Sequence, residues 1–327
     1  MLTQEPTAII TGACGFVGAV MAARLKESSW RVIGIDSYAR GLNAPRLAEF
    51  GIKVLELDCM NGIKGILDEV KPQVVFHFAA ATGDLTRPVS ELIATNVDMT
   101  KQIFEECISM AEPPLFVFPT TSLALGVPDS SYVETKEMAI RWLRAHKAKD
   151  QALLFRFFNN CGGYKGLGEL RKNEVHALPA LYKAWKTRQP FYINGNDYET
   201  KDGTPSRDYI HVVDTVDWIR YCVRKKQQKE LTVATVDGLI EVGCGYPRTT
   251  LDVVNAFSKA VVSLKLHDVA EDPIIVRTEM RARRNFDCGM LACSSAGQIW
   301  AHRAPFNLTN MMHDAIQVFE TMPPTVQ

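Results

Sequence analysis

The chain has 327 residues, 46% of them apolar, with 37 basic and 37 acidic residues and a formal net charge of +0. That balance, without a long run of either sign, argues against a nucleic-acid or membrane partner, and no apolar run approaches the ~20 residues needed to cross a bilayer. The length exceeds what one hydrophobic core usually holds, so the expectation is one large domain with a lobe, or two domains.

The opening residues MLTQEPTAII carry no basic segment ahead of a long apolar stretch, which predicts no signal peptide. Short apolar, β-rich runs then come at 7–11, 31–35, 53–57, 74–78, 115–119 and 153–158. Between them lie stretches with helical spacing at 17–25, 91–110 and 132–147. Strands that are nearly continuously apolar and alternate with helices predict a parallel sheet covered on both faces. After residue 158 the pattern changes, and 159–210 is rich in Gly, Asn, Asp and turn-forming pairs such as Gly162-Gly163, Asn194-Gly195 and Asp202-Gly203. A strand-turn-helix unit returns at 240–260, where Thr249 and Asp252 have the spacing of a capping box. Residues 297–327 read as a short helix followed by a Pro-rich end. The eight cysteines (Cys14, Cys59, Cys107, Cys161, Cys222, Cys244, Cys288, Cys293) are scattered, with no C-x-x-C pair. They fit reduced thiols of a cytoplasmic protein better than a disulfide framework or a metal site.

The first strand runs into Thr11-Gly12-Ala13-Cys14-Gly15-Phe16-Val17-Gly18, and the first helix should begin at Gly15 or Phe16. In such a loop the first glycine makes the tight turn, the second lets backbone approach a pyrophosphate, and the third lets helix pack on strand. The anion then sits at the positive helix N-terminus. Glycine triplets also mark ordinary turns, but this one leads to Asp36 at the end of the second strand. Its carboxylate suits the ribose hydroxyls of NAD and would repel the 2′-phosphate of NADP. The expected fold is therefore α/β, a Rossmann-type doubly wound parallel sheet with a smaller, loop-rich C-terminal substrate lobe. We expect an NAD-binding domain over 1–158, with parts of 209–262 returning to it, and a discontinuous substrate-binding lobe over 159–327.

Tyr132 and Lys136 lie four residues apart, on one face of a helix. A tyrosine with an unperturbed pKa near 10 is a poor base at neutral pH. A lysine one turn away and the positive nicotinamide ring of NAD⁺ both favour the phenolate. An isolated Y-x-x-x-K is most often a solvated helix face. Here the pair follows the strand that ends in Thr120-Thr121-Ser122, whose hydroxyls lie within reach of a proton shared with Tyr132.

With these features the chain resembles the extended short-chain dehydrogenase/reductase family and, within it, the nucleotide-sugar 4-epimerases of the UDP-glucose type. The resemblance covers nearly the whole chain: the TGxxGFxG loop, Asp36, Asp58-Cys59, Phe78-Ala79-Ala80, Asn96, Tyr132 with Lys136, and Arg156-Phe157-Phe158-Asn159. Most specific is the run GNDYETKDGTPSRDYIHV at 195–212, and residues 251–260 are also epimerase-like. The resemblance implies a bound NAD that is not consumed, held by Gly12, Gly15, Phe16, Val17, Gly18, Asp36, Asp58, Cys59, Phe78, Ala79, Ala80, Asn96, Tyr132, Lys136 and Phe158. It implies Tyr132, Lys136 and Thr121 as the catalytic residues. The sugar 4-hydroxyl would lose its proton to Tyr132 and its C4 hydride to NAD, and the 4-keto sugar would regain hydride on the opposite face. Thr121, Asn159, His176, Arg207 and Arg277 would contact a nucleotide-diphosphate sugar, and Arg207 is suited to bidentate bonds with phosphate. By the same analogy the helices 91–110 and 132–147 would pair in a homodimer, although core burial explains their apolar spacing equally well.

Four departures stand out. Only five residues separate Gly126 from Tyr132, where such epimerases carry a longer loop. Leu125 replaces the tyrosine before Gly126, and Pro119 replaces a hydroxyl residue. The late R-x-G-D segment reads Arg277-Thr278-Glu279-Met280, so a carboxylate for ribose is missing. The arginines at 277, 281, 283 and 284 are either a more basic phosphate pocket or a solvated face. His176 stands where an amide side chain is usual; it would donate to phosphate or simply pack. Ser122-Leu123 after Thr121 offer no acid-base pair for water loss, which favours chemistry needing only hydride transfer and one proton shuttle. C4 epimerisation meets that requirement, and so does simple nucleotide-sugar oxidoreduction. A catalytically silent NAD-binding regulator is the remaining alternative.

Overall fold

The computed structural model describes residues 5–37, 43–81, 87–126, 130–170, 176–266, 278–281, 290–293 and 306–321. Six strands and six helices build the first half in alternation. They are β1 Thr7–Thr11, α1 Phe16–Lys26, β2 Arg31–Asp36, α2 Ala44–Glu49, β3 Lys53–Glu56, α3 Lys64–Val70 and β4 Val74–His77. There follow α4 Val89–Ile93, a π-turn Ala94–Asp98, α5 Met99–Ile108, β5 Leu115–Thr121, α6 Ser131–Ala145 and β6 Ala152–Phe157. The second half holds β7 Asn159–Cys161, β8 Gly163–Tyr164, β9 Leu167–Gly168, α7 Ala177–Lys186, β10 Phe191–Asn194, β11 Ser206–His211 and α8 Val212–Gln227. It ends with β12 Ile240–Val242, β13 Pro247–Thr249, α9 Thr250–Ser263, β14 Thr278–Arg281, β15 Met290–Leu291 and α10 Leu308–Glu320.

The main sheet has the order β12-β6-β5-β4-β1-β2-β3, and every pairing in it is parallel. Such a sheet must be covered on both faces, and β1 accordingly buries all five of its residues. On one face, Ala8, Ile10, Phe76 and Phe155 pack with α1 and α8 through Val20, Trp218 and Ile219. On the other, Ile9, Val75, Phe116 and Phe118 pack with α3, α5 and α6 through Leu67, Phe104 and Ile140. The crossover from β3 to β4 carries the chain back past β1, so β1 and β4 become neighbours whose following loops run to opposite sides. This is the switch point at which doubly wound sheets open a ligand crevice.

All six expected strands of the first half form within two residues of their expected bounds. The expected helix over 91–110 is present at 89–108, but interrupted by the π-turn. The stretch 159–210 is not only loops: it also holds α7 and β10. A second core joins α7, α9 and α10 through Leu181, Phe191, Phe257, Ile316 and Phe319. The unit at 240–260 divides between the two layers, since β12 extends the main sheet beside β6 while α9 packs in the second core. Thr249 and Asp252 form the expected reciprocal capping box.

Candidate functional site

The residues singled out from the sequence gather at the C-terminal ends of the parallel strands. Gly12 has φ +68, and a Cβ there would lie 2.6 Å from the Ala79 nitrogen. A Cβ on Gly18 would overlap the Gly12 carbonyl oxygen. Those two glycines are thus demanded by the packing of β1 against α1 and the 78–80 loop. Gly15 differs: a Cβ there meets only the Gly12 oxygen, at 3.1 Å. No other described atom outside its own chain neighbours lies within 4 Å of that position, so a ligand can approach the backbone there. The first-turn N–H groups of α1, at Phe16 and Val17, lack intrahelical partners as in any helix and supply the anion site. Asp36, ending β2, accepts a hydrogen bond from the Cys14 nitrogen at 2.9 Å, which holds its carboxylate against the loop. These features fit the pyrophosphate and ribose of a dinucleotide.

Beyond β3, Asp58 accepts from the Met60 nitrogen at 3.0 Å. Cys59 is buried, and burial pushes its thiol up to about 12, so its backbone is the part available to a ligand. The loop Phe78-Ala79-Ala80 is fixed from behind by a buried relay. The Ala79 nitrogen donates to Thr11 Oγ1 at 3.3 Å, and Thr11 Oγ1 lies 2.7 Å from His77 Nδ1. His77 Nε2 lies 3.1 Å from Thr100 Oγ1, whose own hydrogen goes to the Asn96 carbonyl. With that hydroxyl committed, Nε2 must donate, and Nδ1 accepts from Thr11. Burial first, and the Lys136 charge second, push His77 down to about 3, so it is neutral. Asn96, in the π-turn, accepts from the Ala81 nitrogen at 2.8 Å and donates to the Ala81 carbonyl and to Thr135 Oγ1. Thr135 in turn donates to the Tyr132 carbonyl at 2.9 Å. One buried amide therefore ties the loop after β4 to the helix that carries Tyr132.

Thr121 ends β5, and its Oγ1 accepts from the Leu123 nitrogen at 3.2 Å. That bond leaves the hydroxyl hydrogen to donate elsewhere. Tyr132 lies in the first turn of α6, and Lys136, one turn on, is only 4% exposed. Its Nζ sits 3.9 Å above the Phe118 ring centroid. Burial pushes Lys136 down to about 7, and Glu137 pulls it back up. Phe158 is buried and its nitrogen donates to the Val242 carbonyl, next to β7, where Asn159 pairs with Tyr209 of β11.

Arg207 on β11 donates from Nη1 to the Ser206 carbonyl at 2.8 Å and stands opposite Arg248 of β13. Like charges directly opposite are unfavourable unless an anion lies between them. Arg248 was missed at the sequence level, because only strand pairing brings it beside Arg207. Next to Arg207, the buried Asp208 carboxylate accepts from the Cys244, Gly245 and Cys293 nitrogens at 2.7, 2.7 and 2.9 Å. It locks β11 to the segments after β12 and β15. His176 caps α7, and its Nδ1 pairs with the buried Glu169, a partner that local sequence did not indicate. Arg277, and the arginines at 283 and 284, lie outside the described residues. Arg281 stacks on Tyr192, with its guanidinium carbon 3.4 Å from the ring centroid. No cluster of His, Cys, Asp and Glu among the described residues is suited to a metal ion, and no helix there is long and apolar enough to cross a membrane.

A family model described as the NAD dependent epimerase/dehydratase family matches residues 8–234. The UDP-glucose 4-epimerase of Mycoplasma genitalium is 25% identical over 98% of this chain and 98% of its own length. That of Rhizobium meliloti is 29% identical over 65% of this chain and 71% of its own. Among solved structures, a UDP-glucose 4-epimerase from Stenotrophomonas maltophila with bound NAD and formylated UDP-arabinopyranose superposes with a TM-score of 0.84. The two share 19% identity over 97% of this chain and 99% of that one. The match over more than half the chain, on the strands and loops just described, makes this protein a member of the NAD-dependent epimerase/dehydratase family.

Proposed function

We propose that this chain is an NAD-dependent 4-epimerase of nucleotide-diphosphate sugars, of the UDP-glucose/UDP-galactose type. The observation that carries the reading is the placement of Tyr132 one helical turn from a buried ammonium, Lys136, beside the strand end that bears Thr121. The names of the relatives agree with it, and no carboxylate pair follows Thr121 to support dehydration.

Gly12, Gly15, Gly18, Phe16, Val17 and Asp36 would hold the NAD pyrophosphate and ribose, with Asp58, Cys59, Phe78, Ala79, Ala80, Asn96 and Phe158 forming or fixing the loops around it. Bound NAD supplies a hydride acceptor that becomes the donor of the return step. Lys136 favours the phenolate of Tyr132 through its charge, and the phenolate takes the proton of the sugar 4-hydroxyl. Thr121 donates its hydroxyl hydrogen toward that oxygen, which its bond from the Leu123 nitrogen leaves it oriented to do. Arg207 with Asn159, His176 and Arg277 would hold the diphosphate, and Arg248 adds a second cation opposite Arg207. We assign residues 1–158 with parts of 209–262 to cofactor binding and the rest of 159–327 to the substrate. Val89 and Met138, 51% and 38% exposed on α4 and α6, support pairing of these helices in a homodimer. The seven described cysteines are buried thiols outside any disulfide, which fits a cytoplasmic protein.

Incubation with UDP-galactose should yield UDP-glucose without accumulating free NADH. Stoichiometric NADH release without epimer would instead establish the oxidoreductase reading. Tyr132→Phe should abolish turnover and leave NAD bound; retained turnover would remove Tyr132 from the mechanism.

A further inference from the structure

Lys136 is a buried cation in sparse company. Its ammonium meets the Phe118 ring, and among the described residues it makes no side-chain hydrogen bond. The residue that follows it, Glu137, lies on the same helix but reaches another element: Thr120 Oγ1, itself 3% exposed, donates to Glu137 Oε1 at 3.1 Å. The carboxylate is thereby fixed against the end of β5, one residue from Thr121. Other charged groups around α6 are paired elsewhere or exposed, and the buried Arg156 of β6, in register with Thr120, pairs with Glu241. On the facing helix run, Glu91 pairs with Arg87 and Glu105 with His146. Asp98 points to solvent. On α6 itself, Glu134 pairs with Arg141 on the exposed face. Across the sheet, His77 is neutral and engaged with Thr11 and Thr100. Glu137 is the acidic group whose charge bears on Lys136, and it opposes the effect of burial.

We propose that Glu137, held in place by Thr120, is a positioning residue that keeps Lys136 protonated and through it keeps Tyr132 ionised. This rests on the reading of Tyr132 as the proton acceptor. Lys136 lies over Phe118 and Glu137 bonds to Thr120, two residues on along the same face of β5, so the carboxylate is fixed near the ammonium, where a charge offsets desolvation best.

Two substitutions separate charge from placement. Glu137→Gln keeps an acceptor for the Thr120 hydroxyl and removes the charge. Thr120→Val removes the hydrogen bond and keeps the charge. The readout is the near-ultraviolet phenolate absorbance of the NAD-bound protein against pH, each variant measured against the same protein carrying Tyr132→Phe. The pH profile of kcat/KM is recorded alongside. In Glu137→Gln the phenolate midpoint should move up by roughly half a unit or more, the acid limb of kcat/KM should follow it, and Thr120→Val should shift both in the same direction by less. A loss of kcat in Glu137→Gln with the phenolate midpoint and both limbs unmoved would assign Glu137 a merely structural role and overturn the proposal. Absence of any Tyr132-dependent phenolate signal in the parent protein would instead bring down the Tyr132 reading, and this inference with it.

Discussion

Replacing Lys136 by methionine should abolish activity and yet make the cofactor-free protein more stable. The side chain is 4% exposed, and burial lowers the ammonium from 10.5 to about 7. At roughly 1.4 kcal/mol per unit, that depression corresponds to about 5 kcal/mol of penalty on the charged form. The sign follows from proton counts. The unfolded chain keeps this proton up to about 10.5 and the native state only to about 7, so between those values the unfolded chain binds more protons. Stability therefore rises with pH through that window, and below it the penalty is present in full. Methionine matches the aliphatic stem, carries no charge, and places a polarisable sulfur against Phe118. Lys136→Met should exceed the parent by about 3–5 kcal/mol near pH 6, and the gap should close toward pH 10. Thermal unfolding followed by circular dichroism between those pH values reads it directly, as a Tm rise of about 4–7 degrees at the acidic end for a chain of this size. A variant less stable than its parent near pH 6, or a gap that does not narrow with pH, would refute the account of Lys136 as a buried cation held at a cost.

The glycine loop offers a contrast. Gly18→Ala drives a methyl into the Gly12 carbonyl and should lose about 1–3 kcal/mol of stability together with NAD affinity, measured by denaturation and calorimetry. Gly15→Ala meets only one atom, at 3.1 Å, so NAD affinity should fall while unfolding stays within about 0.5 kcal/mol of the parent; equal losses of stability in the two variants would sink the distinction. Asp208→Asn turns part of an acceptor of three backbone N–H groups into a donor facing them. It should cost about 2–4 kcal/mol, and an unchanged urea midpoint would show that the lock contributes little.

The parallel-sheet half was readable because its signals are local. Thr7–Thr11 is buried throughout with an apolar centre, since both sheet faces are covered, and the glycine loop, Asp36 and the Tyr132–Lys136 pair are each short-range patterns. The features that escaped reading depend on distant partners. Helix α7 begins between turn-rich stretches and holds Pro179 in its first turn, where the missing N–H costs nothing, so composition alone marked it as loop. The π-turn at 94–98 surrounds Asn96, whose side chain is engaged by Ala81 and Thr135. No sequence period announces that. Glu137 and Thr120 are 17 residues apart, Arg207 and Arg248 meet only across β11 and β13, and the spacing of Glu169 and His176 does not announce their pairing.

The polar groups of the site fall into two kinds, and the difference predicts how each responds to substitution. His77, Thr11, Asn96 and Asp208 are nearly fully buried, and their hydrogen bonds go largely to backbone or to one another. They set the positions of the loops at the strand ends, so removing any of them leaves a buried donor or acceptor unmatched, and stability and activity should fall together. Lys136 and the hydroxyl hydrogen of Thr121 are different: among the described residues neither donates to an acceptor within the fold. An unmatched donor of this kind adds little to the free protein, for Lys136 no more than its contact with the Phe118 ring and the Glu137 charge, and it costs desolvation; what it meets when cofactor and substrate arrive accounts for its presence. For Lys136 and Thr121, activity and stability should therefore separate, most sharply at Lys136 below about pH 7, where the unmatched group is charged.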